Sequence, residues 1–140
     1  MTSGFVLDGS VAAAWCFADE AGEYTRGVLA AFRNARAYVP ESWGLEIANV
    51  LLVGERRGRI SRQEADRFLA LIRSLPILVD QHPCMDALER VLGLARDYSL
   101  SAYDAAYLEL AHRLGVPLAT LDARLASAAQ DSGVSRYEPG

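Results

Sequence analysis

The chain has 140 residues, 51% of them hydrophobic, and a formal net charge of −4. That size fits a single domain over residues 1–140 with a polar tail from about 131, and the hydrophobic share excludes a disordered chain. The longest apolar run, Val11 to Ala18, is far short of the ~20 residues of a membrane span, and no basic and apolar leader opens the sequence, so a cytoplasmic protein with no membrane contact is expected.

The charge balance argues against binding nucleic acid by net electrostatics alone. All 14 basic residues are Arg. Without Lys there is no P-loop lysine, Schiff base or Lys general base, whereas Arg remains suited to paired phosphate contacts. Cys16 and Cys84 lie in unrelated contexts and read as buried thiols rather than a disulfide.

In chain order, Gly4–Leu7 reads as a buried strand and Ser10–Phe17 as a short helix. Val28, Leu29 and Phe32 give Ala21–Asn34 a helical spacing. Ala37–Val39 is a strand stopped by Pro40, and Ser42–Arg57 a helix with Gly58 as its end signal. Ser61 and Glu64 form a capping box for a helix to about Ser74. Pro76–Val79 is a third strand, Pro83 opens a helix to about Tyr98, and Ser101–Leu114 is a helix closed by Gly115. Pro117–Thr120 is a fourth strand, Leu121–Gln130 a last helix, and Ser135–Tyr137 an edge strand. Strands alternating with amphipathic helices predict an α/β layered domain with a mostly parallel sheet.

Among 18 acidic residues, four stand at positions where a carboxylate is harder to dismiss. Asp8 ends the first strand, and ligands in open parallel sheets bind beyond the carboxyl ends of strands. Its plain alternative is an N-cap, with Ser10 in reach of the same turn. Asp122 repeats the arrangement after the fourth strand, beside Thr120, with the same alternative. Asp104 interrupts an apolar stripe between Leu100 and Leu108; it also fits a capping box with Ser101. Glu46 lies one turn into its helix on a face with Trp43, Val50 and Val53, where the helix dipole alone would favour it.

If these acids converge, two charges ~4 Å apart at an effective dielectric of ~20 repel by about 4 kcal/mol. Protons or cations must relieve this, and an all-oxygen set suits Mg²⁺ or Mn²⁺. His82 and His112 are isolated from these segments, which disfavours zinc. The densest basic stretch, Glu55 to Arg62, offers Arg56, Arg57 and Arg59 for phosphate or partner contact, or simply as a solvated helix end. Trp15, Phe17 and Trp43 read as core or interface more than as base-stacking platforms.

The segments FVLDGSVAAAW, PESWGLEIANVL, LSAYDAAYLELA and PLATLDARLASAA, in this order, resemble the PIN domain over nearly the whole chain. The chain is similar to VapC-type toxins of bacterial type II toxin–antitoxin pairs. The resemblance implies a three-layer α/β/α sandwich with a four- to five-stranded sheet. It also implies a metal-dependent endoribonuclease, a homodimer, and inhibition by a cognate antitoxin. The family's acidic positions fall on Asp8, Glu46, Asp104 and Asp122, with Ser10 and Thr120 as accompanying hydroxyls. Asp8 and Asp104 are the expected metal ligands, with Glu46 and Asp122 able to join them. The rival reading is a catalytically silent PIN-fold module that binds an antitoxin or RNA without cutting. Two other acid-rich sites fit less well: a receiver domain wants a lysine, and a haloacid-dehalogenase-like phosphatase wants a second Asp where Ser10 stands.

Overall fold

A computed structural model describes residues 3–140. Four strands, β1 (Ser3–Leu7), β2 (Ala35–Val39), β3 (Ile77–Val79) and β4 (Leu118–Ala119), form an all-parallel sheet in the order β3-β2-β1-β4. Seven helices complete a PIN-like α/β/α sandwich: α1 (Gly9–Cys16), α2 (Glu23–Ala31), α3 (Trp43–Arg56), α4 (Arg62–Ser74), α5 (Cys84–Tyr98), α6 (Ala102–Leu114) and α7 (Ala123–Asp131). One helical group packs α1 on α2 and α3, and α3 on α4; the other packs α6 on α5, α7 and β1. Phe5, Val6 and Leu7 are fully buried, as expected of a central strand covered on both faces.

Local chemistry explains most element ends. Ser61 and Glu64 make both bonds of the capping box, each at 3.0 Å. Gly115 closes α6 in the left-handed region at φ 67°, which glycine adopts without a Cβ penalty. The expected helix over 21–34 is shorter because Gly22 is extended and the Thr25 hydroxyl accepts its N–H at 3.0 Å.

Two expectations need correcting. Ser135–Tyr137 adds no strand; only an isolated parallel bridge joins Leu118 to Arg136. Nor is the segment from 131 simply a polar tail. Val134 and Tyr137 are buried, Tyr137 stacks on Phe5 with ring centroids 4.1 Å apart, and Tyr24 donates to the Tyr137 carbonyl at 2.8 Å. The Phe5 stack, the Tyr24 bond and the backbone bonds of Leu118 with Ser135 and Tyr137 hold this segment against the core.

The strand order positions the site. From β1 the chain steps outward to β2 and β3, then returns to place β4 on β1's other side. That reversal puts the sheet's switch point at the carboxyl ends of β1 and β4, the usual ligand position in an open parallel sheet. Asp8 follows β1, Thr120 and Asp122 follow β4, and the Asp8 N–H donates to Ala119 O at 3.0 Å across the gap.

Candidate metal centre

Asp8 occupies the N-cap position of α1 but makes no side-chain capping bond. Its Oδ2 accepts instead from the Ser10 and Thr120 hydroxyls, both at 2.7 Å. Each hydroxyl also accepts a backbone N–H: Ser10 from Leu121 and Thr120 from Asp122, both at 3.0 Å. With their lone pairs engaged by amides, the hydroxyls aim their protons at the carboxylate. Asp8 is 7% exposed, and no hydrogen bond of the described residues engages its Oδ1.

Glu46 lies in the first turn of α3, half-buried. Its Oε2 accepts a short hydrogen bond from the Tyr107 hydroxyl, which in turn accepts the Gly9 N–H at 3.3 Å. Burial raises the Glu46 carboxyl above its ordinary value; the Tyr107 bond opposes this, and the charges of Asp8 and Asp104 add to the rise. The Tyr107 hydroxyl is pushed well above the usual tyrosine range by burial and by its bond to Glu46.

Asp104, in the first turn of α6, forms only half of the anticipated capping box. Its N–H donates to Ser101 Oγ at 3.1 Å, while no bond returns from its carboxylate to the Ser101 backbone. Burial and the charges of Asp8 and Asp122 raise its carboxyl, with the Ser101 hydroxyl and Arg124 pulling the other way. Asp122 does cap its helix: Oδ1 accepts from Arg124 N–H at 2.9 Å and Leu125 N–H at 3.2 Å.

The four acids therefore share one electrostatic field, Glu46 sensing Asp8 and Asp104, and Asp104 sensing Asp8 and Asp122. Among the described residues no three His, Cys, Asp or Glu side chains close into a ready metal cage. The donor set is still wholly oxygen. Both histidines are engaged elsewhere: the His82 ring lies 3.5 Å from Arg90 and the His112 ring 2.9 Å from Ser132 Oγ. Convergent carboxylates and hydroxyls without imidazole fit a hard divalent cation such as Mg²⁺ or Mn²⁺.

Of the basic stretch, Arg59 bonds Asp19 and Glu20 at 2.9 Å and lies over the Phe17 ring, while Arg56 and Arg57 are solvent-exposed. Phe17 and Trp43 are buried, and the Trp15 indole donates to Thr25 O at 2.7 Å. Cys16 is half-buried; Cys84 is exposed, not buried as expected, and both are free thiols.

Sequence reasoning missed Tyr107 and the Asp80–Arg113–Glu109 cluster. Tyr107 stands three residues after Asp104 on the same helix, a spacing that brings side chains together, yet an aromatic there reads as core. Arg113 bonds Asp80 at 2.6 Å and the buried Glu109 at 3.0 Å. The Arg113–Glu109 spacing of four residues was a signal in the sequence; Asp80 was not.

The fold is that of a PIN domain, and the PIN domain family matches residues 5–131. The chain belongs to the PIN-domain family, on its VapC-type side. It is 29% identical over 121 residues to Ribonuclease VapC3 of Pyrobaculum aerophilum, covering 86% of this chain and 91% of that protein. It is 35% identical over 95 residues to Ribonuclease VapC9 of Mycobacterium tuberculosis, covering 68% and 72%. The crystal structure of PAE2754 from Pyrobaculum aerophilum superposes with a TM-score of 0.65 at 25% identity, covering 90% of this chain and 79% of that one.

Proposed function

We propose that this chain is a single-domain toxin of a toxin–antitoxin pair, acting in the cytoplasm as a Mg²⁺- or Mn²⁺-dependent endoribonuclease. The observation that carries this reading is Asp8 at the sheet's switch point: a nearly buried carboxylate whose Oδ2 is held by two hydroxyls and whose charge reaches Glu46 and Asp104. The ribonuclease relatives support the reaction class.

Asp8 and Asp104 would hold the cation, with Glu46 and Asp122 completing its surroundings. A bound divalent ion supplies an activated water and relief of phosphate charge. Ser10 and Thr120 hold Asp8 in its orientation through their bonds to Oδ2. Glu46, held by Tyr107 and with its carboxyl raised by burial, would stand beside the cation as a further oxygen donor. Arg56 and Arg57 are the exposed cations offered for the RNA backbone. Met85, Leu88 and Leu92, exposed along one face of α5, support contact with an antitoxin or a second copy. No helix of the described residues is long and apolar enough to cross a membrane.

The test is cleavage of total cellular RNA by the purified protein, with Mg²⁺ and with EDTA. Wild type should cut only with the metal, and Asp8→Ala or Asp104→Ala should lose at least ~100-fold in rate while melting as folded proteins. Either variant cutting at the wild-type rate would overturn the assignment. No cleavage across a broad RNA panel, with antitoxin binding retained, would establish the silent module instead.

A further inference from the structure

Tyr107 is 1% exposed, yet its hydroxyl reaches from α6 to the start of α1 and to Glu46 on α3. It accepts the N–H of Gly9, the residue after Asp8, and donates to Glu46 Oε2. One phenol thus links the segment carrying Asp8 to the helix carrying Glu46. The junction has no slack: a Cβ at Gly9 would stand 3.3 Å from Glu46 Oε2 and 3.6 Å from the Tyr107 hydroxyl.

The bond also divides the Glu46 carboxylate. Oε2 is committed to Tyr107, and no hydrogen bond of the described residues engages Oε1. The same division holds at Asp8, where the hydroxyls share Oδ2, and at Asp122, where the helix amides share Oδ1. Three acids from three segments each have one oxygen engaged by the protein. Ca²⁺ takes carboxylates in the two-oxygen mode and tolerates irregular, crowded shells; Mg²⁺ demands near-octahedral geometry. Mn²⁺ shares the preference for octahedral oxygen ligation.

We propose that Tyr107 is a positioning residue that holds Glu46 as a one-oxygen donor and thereby favours Mg²⁺ or Mn²⁺ over Ca²⁺. The inference rests on reading the acids as a metal site, but not on RNA being the substrate. A tyrosine that merely filled the core would affect melting and leave cation preference alone.

The experiment is titration of the full chain with Mn²⁺ and with Ca²⁺ by calorimetry, without RNA. Tyr107→Phe keeps the ring and removes only the hydroxyl. Its Mn²⁺ affinity should fall about tenfold, the scale of losing a partner that orients a metal ligand. Its Mn²⁺-over-Ca²⁺ ratio should fall as well, because Glu46 can then offer both oxygens. In a Glu46→Gln background the same change should leave both affinities unmoved, since the carboxylate it orients is gone. Gly9→Ala is a second approach that keeps the Tyr107 packing; its methyl displaces Glu46 Oε2 by a few tenths of an ångström and should lower the ratio too. Folded Tyr107→Phe with wild-type Mn²⁺ affinity and ratio overturns the role. If that variant does not fold, an unchanged ratio in Gly9→Ala overturns it. A wild type that binds Mn²⁺ but cuts no RNA overturns the ribonuclease reading alone, and the Tyr107 comparison is then still decided by the titrations.

Discussion

Thr120 shows how closely a single side chain is held at this site. It is 2% exposed, donates to Asp8 Oδ2 and accepts the Asp122 N–H. Thr120→Val keeps the shape and removes both bonds. It leaves a nearly buried carboxylate oxygen with Ser10 alone and strands the Asp122 N–H. The expected loss is about 1–3 kcal/mol of unfolding free energy, read from urea midpoints, and about tenfold or more in cleavage rate. Wild-type values for both would mean that Ser10 alone orients Asp8. Asp8 and Asp122 also mark the limit of what a sequence discloses about one residue. Both stand just before a helix, and N-capping explains each equally well from local pattern. Only Asp122 caps; Asp8 is drawn off by a hydroxyl 112 residues away. Competition between a local and a distant partner is invisible until the chain is folded.

Elements whose ends depend on neighbouring residues were legible. The Ser61–Glu64 box and the left-handed Gly115 are chemistry within a few positions. Ser135–Tyr137 was not, because whether a short apolar segment pairs fully or makes one bridge depends on the partner strand, and β4 spans only Leu118–Ala119. Asp80 and Arg113 illustrate a link between elements, tying the segment after β3 to α6 at 2.6 Å. Burial alone would raise the Asp80 carboxyl, but the Arg113 bonds and charge and the His82 N–H outweigh it and hold the carboxyl below its ordinary value. The folded chain therefore releases this proton more readily than the unfolded one. The resulting stability is present above the unfolded value of about 3.9 and is lost as pH falls through the lower folded value. Urea unfolding should show wild type more stable than Asp80→Asn by a steady margin at about pH 5–7, narrowing toward about pH 3. A margin that stays constant through the acid range would show that Arg113 draws its pairing from Glu109 alone.

At the scale of the whole molecule, four acids from four segments each had an innocent local explanation, and their convergence is a property of topology. The order β3-β2-β1-β4 sets Asp8 beside Thr120 and Asp122, and α3 and α6 bring Glu46 and Asp104 within reach of their charge. The PIN resemblance implied those positions, and no short-range pattern in the sequence relates them to one another. Convergence carries a cost in stability. Burial and neighbouring negative charge raise both Glu46 and Asp104, so the folded state holds their protons more tightly than the unfolded state. That penalty is absent below the unfolded carboxylate range and complete above the raised folded values, hence present at neutral pH. Asp104→Asn should accordingly melt higher than wild type in EDTA while losing RNA cleavage. Adding Mn²⁺ should reverse the order, because a ligand bound only by the folded state at a hundred times its Kd contributes about 2.7 kcal/mol, and the Asn variant lacks one of the ligands needed to collect it. Two melting series, with and without metal, read this directly. If Asp104→Asn melts below wild type in EDTA, the carboxylate is supporting the fold rather than straining it, and the acids are not a site held at the expense of stability.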